Sequence, residues 1–389
     1  MRRPSLLRVL AVVSIGATVA LAGTGEAATL FGLTADGLRI LQFDSATPQT
    51  IDRGVALTGL APGERIAGID VRPATGQLYG LGIVSGSPDT ARLYRIDRRT
   101  GVAAAIGAGF ATDLAAPAYG VDFNPVVDRL RVVNSAGDNL RVNPSNGNRA
   151  DSPTPDSPLS TPTVVAVAYD RNTAGTTLTT LFGIDTTTDQ LVRIGGIDGS
   201  PSPNQGLVTN VGPLGVNATG DAGFDIDTAG NAFAALAVGG QTGLYTVSLT
   251  SGAVTLVGPI GDGSTPIGGL TATSDVTVVI SPATGSYATT QGFDLELFVD
   301  APGRAITGGS VKFDGIDVTG LLAGCLVPGT QVTSGGLALR CPGLSGATFG
   351  AAGAGPHTLT ATILFSGGGT SGSSATSTVT YTIIPTTEP

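Results

Sequence analysis

The stretch that decides the fold is Ile66–Leu81, with the sequence Ile-Ala-Gly-Ile-Asp-Val-Arg-Pro-Ala-Thr-Gly-Gln-Leu-Tyr-Gly-Leu. Two short apolar segments flank a turn that contains Pro73 and Gly76, a pattern typical of a β-hairpin. Degraded copies recur down the chain, and the first strand of each copy is predicted to end at an aspartate. These aspartates are Asp70, Asp122, Asp170 and Asp225. Their spacing of roughly 50 residues lies within the range of β-propeller blades.

The two ends of the repeat array predict how it closes. Leu30–Thr34 matches the second strand of the hairpin with no first strand before it, and Ile267–Thr271 looks like a first strand with nothing after it. A ring in which the last strand completes the first blade leaves no exposed edge. The prediction is therefore a five-bladed propeller over residues 28–273, closed by pairing of its N- and C-terminal strands. An open array, two stacked sheets, or a sixth blade near Ser152–Pro162 are the alternatives.

The composition favours an all-β protein. Glycine occurs 59 times and proline 24 times, whereas charged residues make up only 13% and hydrophobic residues 41%. This hydrophobic content argues against disorder, so the glycines are interpreted as turns between short strands. From Asp275 onward, the sequence contains six or seven segments in which apolar and polar residues alternate, as is typical of β-strands. They predict an immunoglobulin-like β-sandwich domain over residues 275–385.

The first 27 residues predict a secretory signal peptide. Arg2, Arg3 and Arg8 precede an apolar run that ends near small residues suited to cleavage. The protein is therefore expected to be secreted or on the cell surface, with the periplasm as an alternative. No transmembrane segment is predicted in the mature chain, although retention of the signal as a membrane anchor is an alternative.

Charge limits the class of partner. Removing three arginines and Glu26 with the signal takes the formal charge from −9 to −11, and Lys312 is the only lysine. Such a chain has no basic patch for phosphates, so nucleic acid is excluded as a partner. The expected partner is a protein or a carbohydrate, and the protein is expected to be a monomer.

The repeated motifs resemble a known family. The segments Gly68–Leu81, Gly120–Val133 and Asn139–Asn143 are similar to a bacterial exported family catalogued as domain of unknown function 4394, whose relatives are propeller-like. The resemblance covers residues 28–262 or so. It implies a propeller fold and an exported location, and it brings no catalytic residues.

The cysteines and the histidine limit the chemistry. Cys325 and Cys341 are the only cysteines, and in an exported protein they are predicted to form a disulfide. In the chain-entropy model such a bridge is worth about 3 kcal/mol. His357 is the only histidine and lies far from any nucleophile of the propeller, so a Ser-His-Asp triad is not expected.

The recurrent aspartates Asp70, Asp122, Asp170 and Asp225 have two interpretations. A carboxylate beside a Pro/Gly turn commonly accepts backbone N–H bonds, and a turn repeated in every blade fits that structural role. Alternatively, the four carboxylates surround the axial channel and bind a cation such as Ca²⁺. A second pattern, Asp221, Asp225 and Asp227, also alternates with small residues but lacks the spacing of an EF-hand loop. No cofactor is otherwise expected.

Two function classes follow from these residues. The first hypothesis is a non-enzymatic binding or structural scaffold outside the cell, with no catalytic residue. The alternative is a hydrolase or lyase with a carboxylate site, Ca²⁺-dependent in one version, at the propeller channel. Because residues present in every blade are explained by building the ring, a ligand site is expected where blades differ. These places are Ser152–Pro162, Ser200–Gly206 and the mouths of the channel.

Overall fold

A computed structural model describes residues 28–273, except 86–88, 113–115, 117 and 174. Beyond them it describes the segments 277–281, 285–288, 293–300, 305–314, 316–317, 337–344, 355–366 and 373–384. Apart from two three-residue 3-10 turns, Ile197–Gly199 and Pro203–Gln205, every regular element in these residues is a β-strand. The all-β prediction is confirmed. None of the described segments contains a helix that is long and apolar enough to cross a membrane.

Nineteen strands form five antiparallel sheets arranged as the blades of a propeller. Blade 1 contains β1 (Thr29–Thr34), β2 (Arg39–Asp44), β3 (Ile51–Ala56) and β19 (Ile267–Ala272). Blade 2 contains β4 (Arg65–Val71), β5 (Leu78–Val84), β6 (Asp89–Ile96) and β7 (Ala103–Thr112), and blade 3 contains β8 (Tyr119–Asn124), β9 (Arg129–Asn134) and β10 (Asn139–Val142). Blade 4 contains β11 (Val164–Tyr169), β12 (Leu181–Asp185), β13 (Gln190–Ile194) and β14 (Val208–Pro213), and blade 5 contains β15 (Ala218–Ile226), β16 (Ala232–Val238), β17 (Gln241–Val247) and β18 (Val254–Pro259).

The ring closes as the ends of the repeat array predict. β19 pairs antiparallel with β1, with Gly32 opposite Leu270 and Phe31 opposite Thr271. The last strand is therefore the innermost strand of blade 1, and it stands beside β1, β2 and β3 in one sheet. The five-bladed prediction and its mode of closure are confirmed.

The hydrophobic core is divided among the five seams between neighbouring blades. Each of five buried clusters combines residues of two adjacent blades; for example, Phe31 and Leu33 of blade 1 pack with Ile66 and Ile69 of blade 2. Burying a side chain of this size contributes about 1.5–3 kcal/mol. Packing between blades, rather than within one sheet, therefore holds the ring together.

Blade 3 has three strands, and the chain after β10 takes the place of an outer strand. The Ala150 N–H donates to the Arg141 carbonyl (2.7 Å), and Val142 forms an isolated bridge with Arg149. Blade 4 contacts this segment closely. A Cβ on Gly206, in the loop between β13 and β14, would lie 2.0 Å from the Pro158 carbonyl oxygen. The loop that contains Ser152–Pro162 thus fills the outer position of the blade and does not form a sixth blade.

The outer rim is closed by turn glycines. Gly101 and Gly252 follow the third strands of blades 2 and 5 and have φ of 76° and 82°, a left-handed conformation that favours glycine. A Cβ at these positions would lie 2.1 Å from the Ala56 carbonyl oxygen and 2.2 Å from that of Gly212. Each turn therefore presses against the outer strand of the preceding blade, which only glycine permits.

The C-terminal part forms two further sheets among its described strands. One has the order β20 (Thr277–Ser281), β22 (Phe293–Asp300) and β25 (Leu337–Leu344). The other has the order β21 (Gly285–Ala288), β27 (Ser373–Ile384), β26 (Gly355–Ser366), β23 (Ala305–Phe313) and β24 (Ile316–Asp317). The immunoglobulin-like assignment and the domain boundary at 273–275 remain predictions. The signal peptide and Cys325 lie outside the described residues, so the pairing of Cys325 with Cys341 also remains a prediction.

Candidate functional site

The innermost strands of the five blades surround the propeller axis, and their axial N–H groups have no further strand to bind. Buried N–H groups need partners, and here they find them in side chains of the preceding blade. The Phe123 N–H of β8 donates to Asp70 Oδ2 of β4 (2.7 Å). The Tyr169 N–H of β11 donates to Asp122 Oδ1 of β8 (3.1 Å). The recurrent aspartates therefore join one blade to the next.

The same arrangement continues around the ring. The Ala272 N–H donates to Asp225 Oδ2 (2.6 Å), and the Val71 N–H donates to Thr271 Oγ1 (3.1 Å). In each of these contacts the donor is the residue that follows a ring residue. Tyr169 is such a donor, so the fifth member of this ring is the residue before it, Ala168. Its methyl group accepts no hydrogen bond, and the Ile226 N–H of the next blade binds the carboxylate of its own neighbour Asp225 (2.6 Å).

Three carboxyl groups meet at the axis. One oxygen each of Asp70, Asp122 and Asp225 lies within 4.8 Å of the others, and the three residues are 1%, 1% and 0% exposed. Burial raises the pKa of Asp70 and Asp122 well above the ordinary value, and the charge of neighbouring aspartates raises both further. Burial also raises the pKa of Asp225 to about 7. No arginine or lysine of the described residues forms an ion pair with them.

The contacts of Thr271 indicate that carboxyl groups of this cluster are protonated. Its Oγ1 lies 2.9 Å from Asp70 Oδ1 and 3.1 Å from Asp225 Oδ2. A hydroxyl has one hydrogen and donates to one carboxylate at a time, so the other contact requires a proton on the carboxyl group. The charges of Asp70 and Asp225 also favour a protonated Asp122, whose pKa they raise. The contacts of Thr271 agree with the raised pKa values.

Asp170 does not join the other three predicted site residues. It follows β11, two positions beyond the ring position occupied by Ala168, and its Oδ1 accepts the Thr180 N–H (2.6 Å) and contacts Arg171 Nη2 (3.1 Å). It closes the β11–β12 loop. A cation site at the axis, which remains a prediction, therefore involves Asp70, Asp122 and Asp225 only.

The alternating aspartates after Gly220 also separate. Asp227 is held in a turn, where its carboxylate accepts the N–H groups of Ala229 (2.9 Å) and Asn231 (2.7 Å). Asp221 lies at the opposite end of β15 from Asp227. The three side chains do not share one site.

Two segments in which the blades differ meet at a buried arginine. Arg131 on β9 donates to Asp156 Oδ2 (2.6 Å) and Asn204 Oδ1 (2.5 Å), which belong to the Ser152–Pro162 and Ser200–Gly206 segments. Arg141 binds both oxygens of Asp156 (2.8 Å each), and the Asn139 amide donates to the Pro203 carbonyl (3.1 Å). Because these groups satisfy one another, the network fixes the two loops and offers no open ligand position.

The upstream mouth, the end of the channel at which the innermost strands begin, is less symmetric. A small depression that opens to solvent, with room for about one water-sized group, is lined there by Arg65, Tyr119, Asp221 and Gly268 among others. The Arg65 guanidinium lies over the Tyr119 ring, 5.6 Å from its centroid. Between the mouth and the carboxyl cluster, the channel narrows at a collar of five small residues. The collar consists of Gly68, Gly120, Ala166, Gly223 and Gly269.

Sequence reasoning missed Thr271, Ala168 and Arg65. The signal for the first two is present in the innermost strands, where a small residue, an apolar residue and the ring residue follow one another. These triplets are Gly68-Ile69-Asp70, Gly120-Val121-Asp122, Ala166-Val167-Ala168, Gly223-Phe224-Asp225 and Gly269-Leu270-Thr271. Aligning on the small residue selects Ala168 instead of Asp170. Arg65 occurs in one blade and has no repeat signal.

The fold and the axial cluster together define a five-bladed β-propeller whose blades are joined at the axis by carboxyl groups. Residues 39–271 match the family described as domain of unknown function (DUF4394), which is more than half of the chain, and the chain belongs to this family. No curated protein gave a significant sequence match.

Several solved structures resemble the chain at low identity. A structural genomics protein of unknown function from Bacteroides thetaiotaomicron is 13% identical, with 72% of this chain and 65% of that chain covered and a TM-score of 0.40. An extracellular domain assigned to a one-component system of the same organism is 11% identical, with 93% and 58% covered and a TM-score of 0.31. The SapL1 lectin in complex with alpha methyl fucoside is 14% identical, with 72% and 86% covered and a TM-score of 0.33.

This chain thus spans less than two thirds of the first two of these structures. Identities and TM-scores this low say nothing about its ligand or activity.

Proposed function

We propose that this protein is a non-enzymatic scaffold outside the cell, in which the propeller presents a rigid surface to a protein or carbohydrate partner. The proposal includes export through the N-terminal signal and a C-terminal immunoglobulin-like module. The ring supports a scaffold role because each seam has its own hydrophobic core and four of the five seams are joined by a side-chain hydrogen bond at the axis.

The burial of the axial carboxyl groups is the observation that carries this proposal. General acid–base or nucleophilic catalysis needs a carboxyl group within hydrogen-bond reach of the substrate. Asp70, Asp122 and Asp225 are at most 1% exposed, and their oxygens already accept backbone N–H groups. From the upstream mouth, an organic substrate would have to pass the collar of small residues, where the channel has room for about one water-sized group.

Enzyme assays test the scaffold proposal. The mature chain is incubated with chromogenic glycosides, lactones and phosphoesters, alongside an Asp225→Asn variant. We expect no turnover above the level of the variant. Turnover by the wild-type chain that Asp225→Asn abolishes, while the variant still folds by circular dichroism, would refute a non-enzymatic role.

A second candidate is a hydrolase or lyase that uses a Ca²⁺ ion at the axis. The convergence of three carboxyl groups within 4.8 Å favours it, since Ca²⁺ prefers carboxylate and other oxygen ligands. Asp70, Asp122, Asp225 and the Thr271 hydroxyl would hold the ion there, and the ion would supply Lewis acidity. A ligand that binds only the folded chain raises its stability. This candidate therefore predicts a higher melting temperature in millimolar calcium than in EDTA, and an unchanged melting temperature would contradict it.

A further inference from the structure

The connections within blade 4 are the longest of their kind in the propeller. Between the third and fourth strands, blades 1, 2 and 5 each use six residues, whereas blade 4 uses the thirteen residues 195–207. Between the first and second strands, blades 2, 3 and 5 use four to six residues, whereas blade 4 uses the eleven residues 170–180. Blade 3 adds residues 150–162 in place of an outer strand. Insertions into single repeats commonly form the binding face of a repeat protein.

These three segments contact one another and form one surface, which we call the insertion surface. It consists of residues 150–162, 170–173, 175–180 and 195–207. The Ser157 N–H donates to the Asn204 carbonyl (2.8 Å), which joins the first segment to the last. The Asp198 N–H donates to Thr180 Oγ1 (3.0 Å), which joins the last segment to the loop after β11. The longest connection of blade 4 therefore holds both of the other segments.

Two aliphatic side chains are exposed on this surface around one ion pair. Ile197 is 63% exposed, the largest fraction for any large apolar side chain whose exposure the structure describes, and Leu178 is 50% exposed. Arg171 Nη2 donates to Oδ1 of Asp198, the residue after Ile197 (2.6 Å). Arg171 Nε donates to the Leu178 carbonyl (2.9 Å). One guanidinium thus holds the two apolar positions together.

The backbone around this ion pair is strained. Arg171 and Asp198 have φ of 51° and 56°, a left-handed conformation that residues other than glycine seldom adopt. Strained residues persist only where their surroundings fix them, and they cluster at functional sites. The positions of Leu178 and Ile197 are therefore fixed although their side chains are exposed. A surface that is ordered beforehand loses little conformational freedom when it binds a partner.

Every charged residue of the insertion surface is paired. The ion pairs are Asp151 with Arg149, Asp156 with Arg131 and Arg141, and Arg171 with Asp170 and Asp198. The exposed residues of the first segment are uncharged, and they include Ser152, Pro153, Thr154, Pro155, Ser157 and Pro158. The cores of protein–protein interfaces are likewise depleted of charged residues. The surface therefore suits an uncharged partner segment, although the chain as a whole is acidic.

We propose that the insertion surface binds a protein partner through an uncharged segment whose apolar side chains pack against Leu178 and Ile197. A few central residues supply most of the affinity of such an interface, and the near-neutral contacts around them exclude water. A carbohydrate suits the surface less well, because the C–H faces of sugar rings pack best on aromatic side chains and the three segments contain none. This inference rests on the proposed scaffold role and specifies the surface and the class of partner.

Selection of random dodecapeptides displayed on phage, with the immobilised mature chain as the target, tests the surface. We expect the enriched peptides to be rich in apolar residues and poor in charged ones. Isothermal titration calorimetry then measures the dissociation constant of one enriched synthetic peptide. Ile197→Asp and Leu178→Asp each place a charge at the centre of the surface and should raise this constant at least tenfold.

The matched control is Leu256→Asp, because Leu256 is 57% exposed but lies on β18 of blade 5. It should leave the dissociation constant unchanged, and circular dichroism establishes that all three variants are folded. The absence of enriched peptides, or wild-type affinity in both Ile197→Asp and Leu178→Asp, would overturn the proposal. Binding of a glycan on an array that both variants abolish would also overturn it, because the partner would then be a carbohydrate.

The peptide experiment and the enzyme assays of the scaffold role fail separately. Peptides that bind away from Leu178 and Ile197 refute the insertion surface and leave the scaffold role in place. Turnover that Asp225→Asn abolishes refutes the scaffold role, whichever surface the peptides bind.

Discussion

The axial cluster and the upstream mouth both contain aspartate side chains, but the surroundings of these side chains differ. At the axis, Asp70, Asp122 and Asp225 occupy equivalent positions in three blades, are fully buried and bind the backbone of the next blade. At the mouth, Arg65 and Asp221 have no counterpart in the other blades and are partly exposed. The Arg65 guanidinium lies over the Tyr119 ring, and its charge acts on Asp221.

This difference separates two uses of a polar residue in a repeat protein. A polar residue that recurs in several blades serves a structural purpose common to those blades. Here that purpose is to accept the otherwise unpaired N–H on the axial edge of each innermost strand. A residue that breaks the repeat serves no such purpose. The variants below therefore should lower stability more at the axis than at the mouth.

The largest expected effect is the loss of stability with rising pH at the axis. Burial raises the pKa of Asp225 from its ordinary 3.8 to about 7 in the folded chain. A carboxyl group of this kind contributes stability that is fully present below its unfolded pKa and is lost as the pH rises through its folded pKa. At about 1.4 kcal/mol per pH unit, the loss is on the order of 4 kcal/mol between about pH 4 and pH 8. Urea unfolding in EDTA, followed by circular dichroism, measures it.

The control for this pH dependence is Asp225→Asn, which cannot ionise and should give a flatter profile over the same range. Because the pKa of Asp70 and Asp122 is also raised, some dependence should remain in the variant. A free energy of unfolding that increases with pH in this range would contradict a proton-holding cluster. Addition of calcium at about pH 8 separates the two axial hypotheses, since a cation site would restore the lost stability.

The next effect is the loss of an axial hydrogen bond. Asp70→Ala leaves the buried Phe123 N–H without its partner, and an unsatisfied buried donor costs about 1–3 kcal/mol. We expect a decrease of roughly 2–3 kcal/mol in the free energy of unfolding at about pH 5, where repulsion among the carboxyl groups is small. Asp170→Ala is the matched control, because this aspartate lies off the ring and is partly exposed. Equal losses in the two variants would show that an axial aspartate contributes no more to the free energy of unfolding than a loop aspartate.

Asp170 and Ala168 show how far the sequence predicts the site. The fold follows from the sequence because hairpin turns, strand periodicity and the incomplete first and last blades are all local patterns. The ring position does not follow as easily. Asp170 lies two residues beyond Ala168, so strand alternation places both on the same face and periodicity alone does not distinguish them. Only the collar residue Ala166, which replaces glycine in this blade, fixes the register.

The mouth was harder to predict for a different reason. Arg65 and Asp221 lie on strands from opposite ends of the propeller sequence, and bulges in β4 and β15 turn them toward one cavity. A bulge changes the register by one or a few residues and leaves no clear composition signal when glycine is common throughout the chain. The sequence places the search at the channel mouths, but the pair itself depends on the closed ring.

A smaller effect is expected at the collar of the channel. A Cβ on Gly120 would lie 2.8 Å from the Ala166 Cα, a backbone atom that cannot move without widening the ring. Gly120→Ala should lower the free energy of unfolding by about 2 kcal/mol, as overpacking of a tight core does. Gly258→Ala on β18 is the control, because its Cβ would lie 3.4 Å from the flexible ring of Pro48 and should change stability by less than about 0.5 kcal/mol. Thermal unfolding compares the two variants, and a neutral Gly120→Ala would mean that the innermost strands are not in tight contact.

The smallest expected effect on stability is at the mouth, where variants are compared directly with those at the axis. Arg65→Gln and Asp221→Asn remove partly exposed charges for which no hydrogen bond is seen among the described residues, so each should change the free energy of unfolding by less than about 0.5 kcal/mol. Asp221→Asn should be neutral or slightly stabilising at about pH 8, because burial raises the pKa of this carboxyl group and its ionised form is disfavoured. Urea unfolding measures both variants beside Asp70→Ala. A loss of 2 kcal/mol or more, on the scale of Asp70→Ala, would mean that the mouth residues support the ring as the axial residues do.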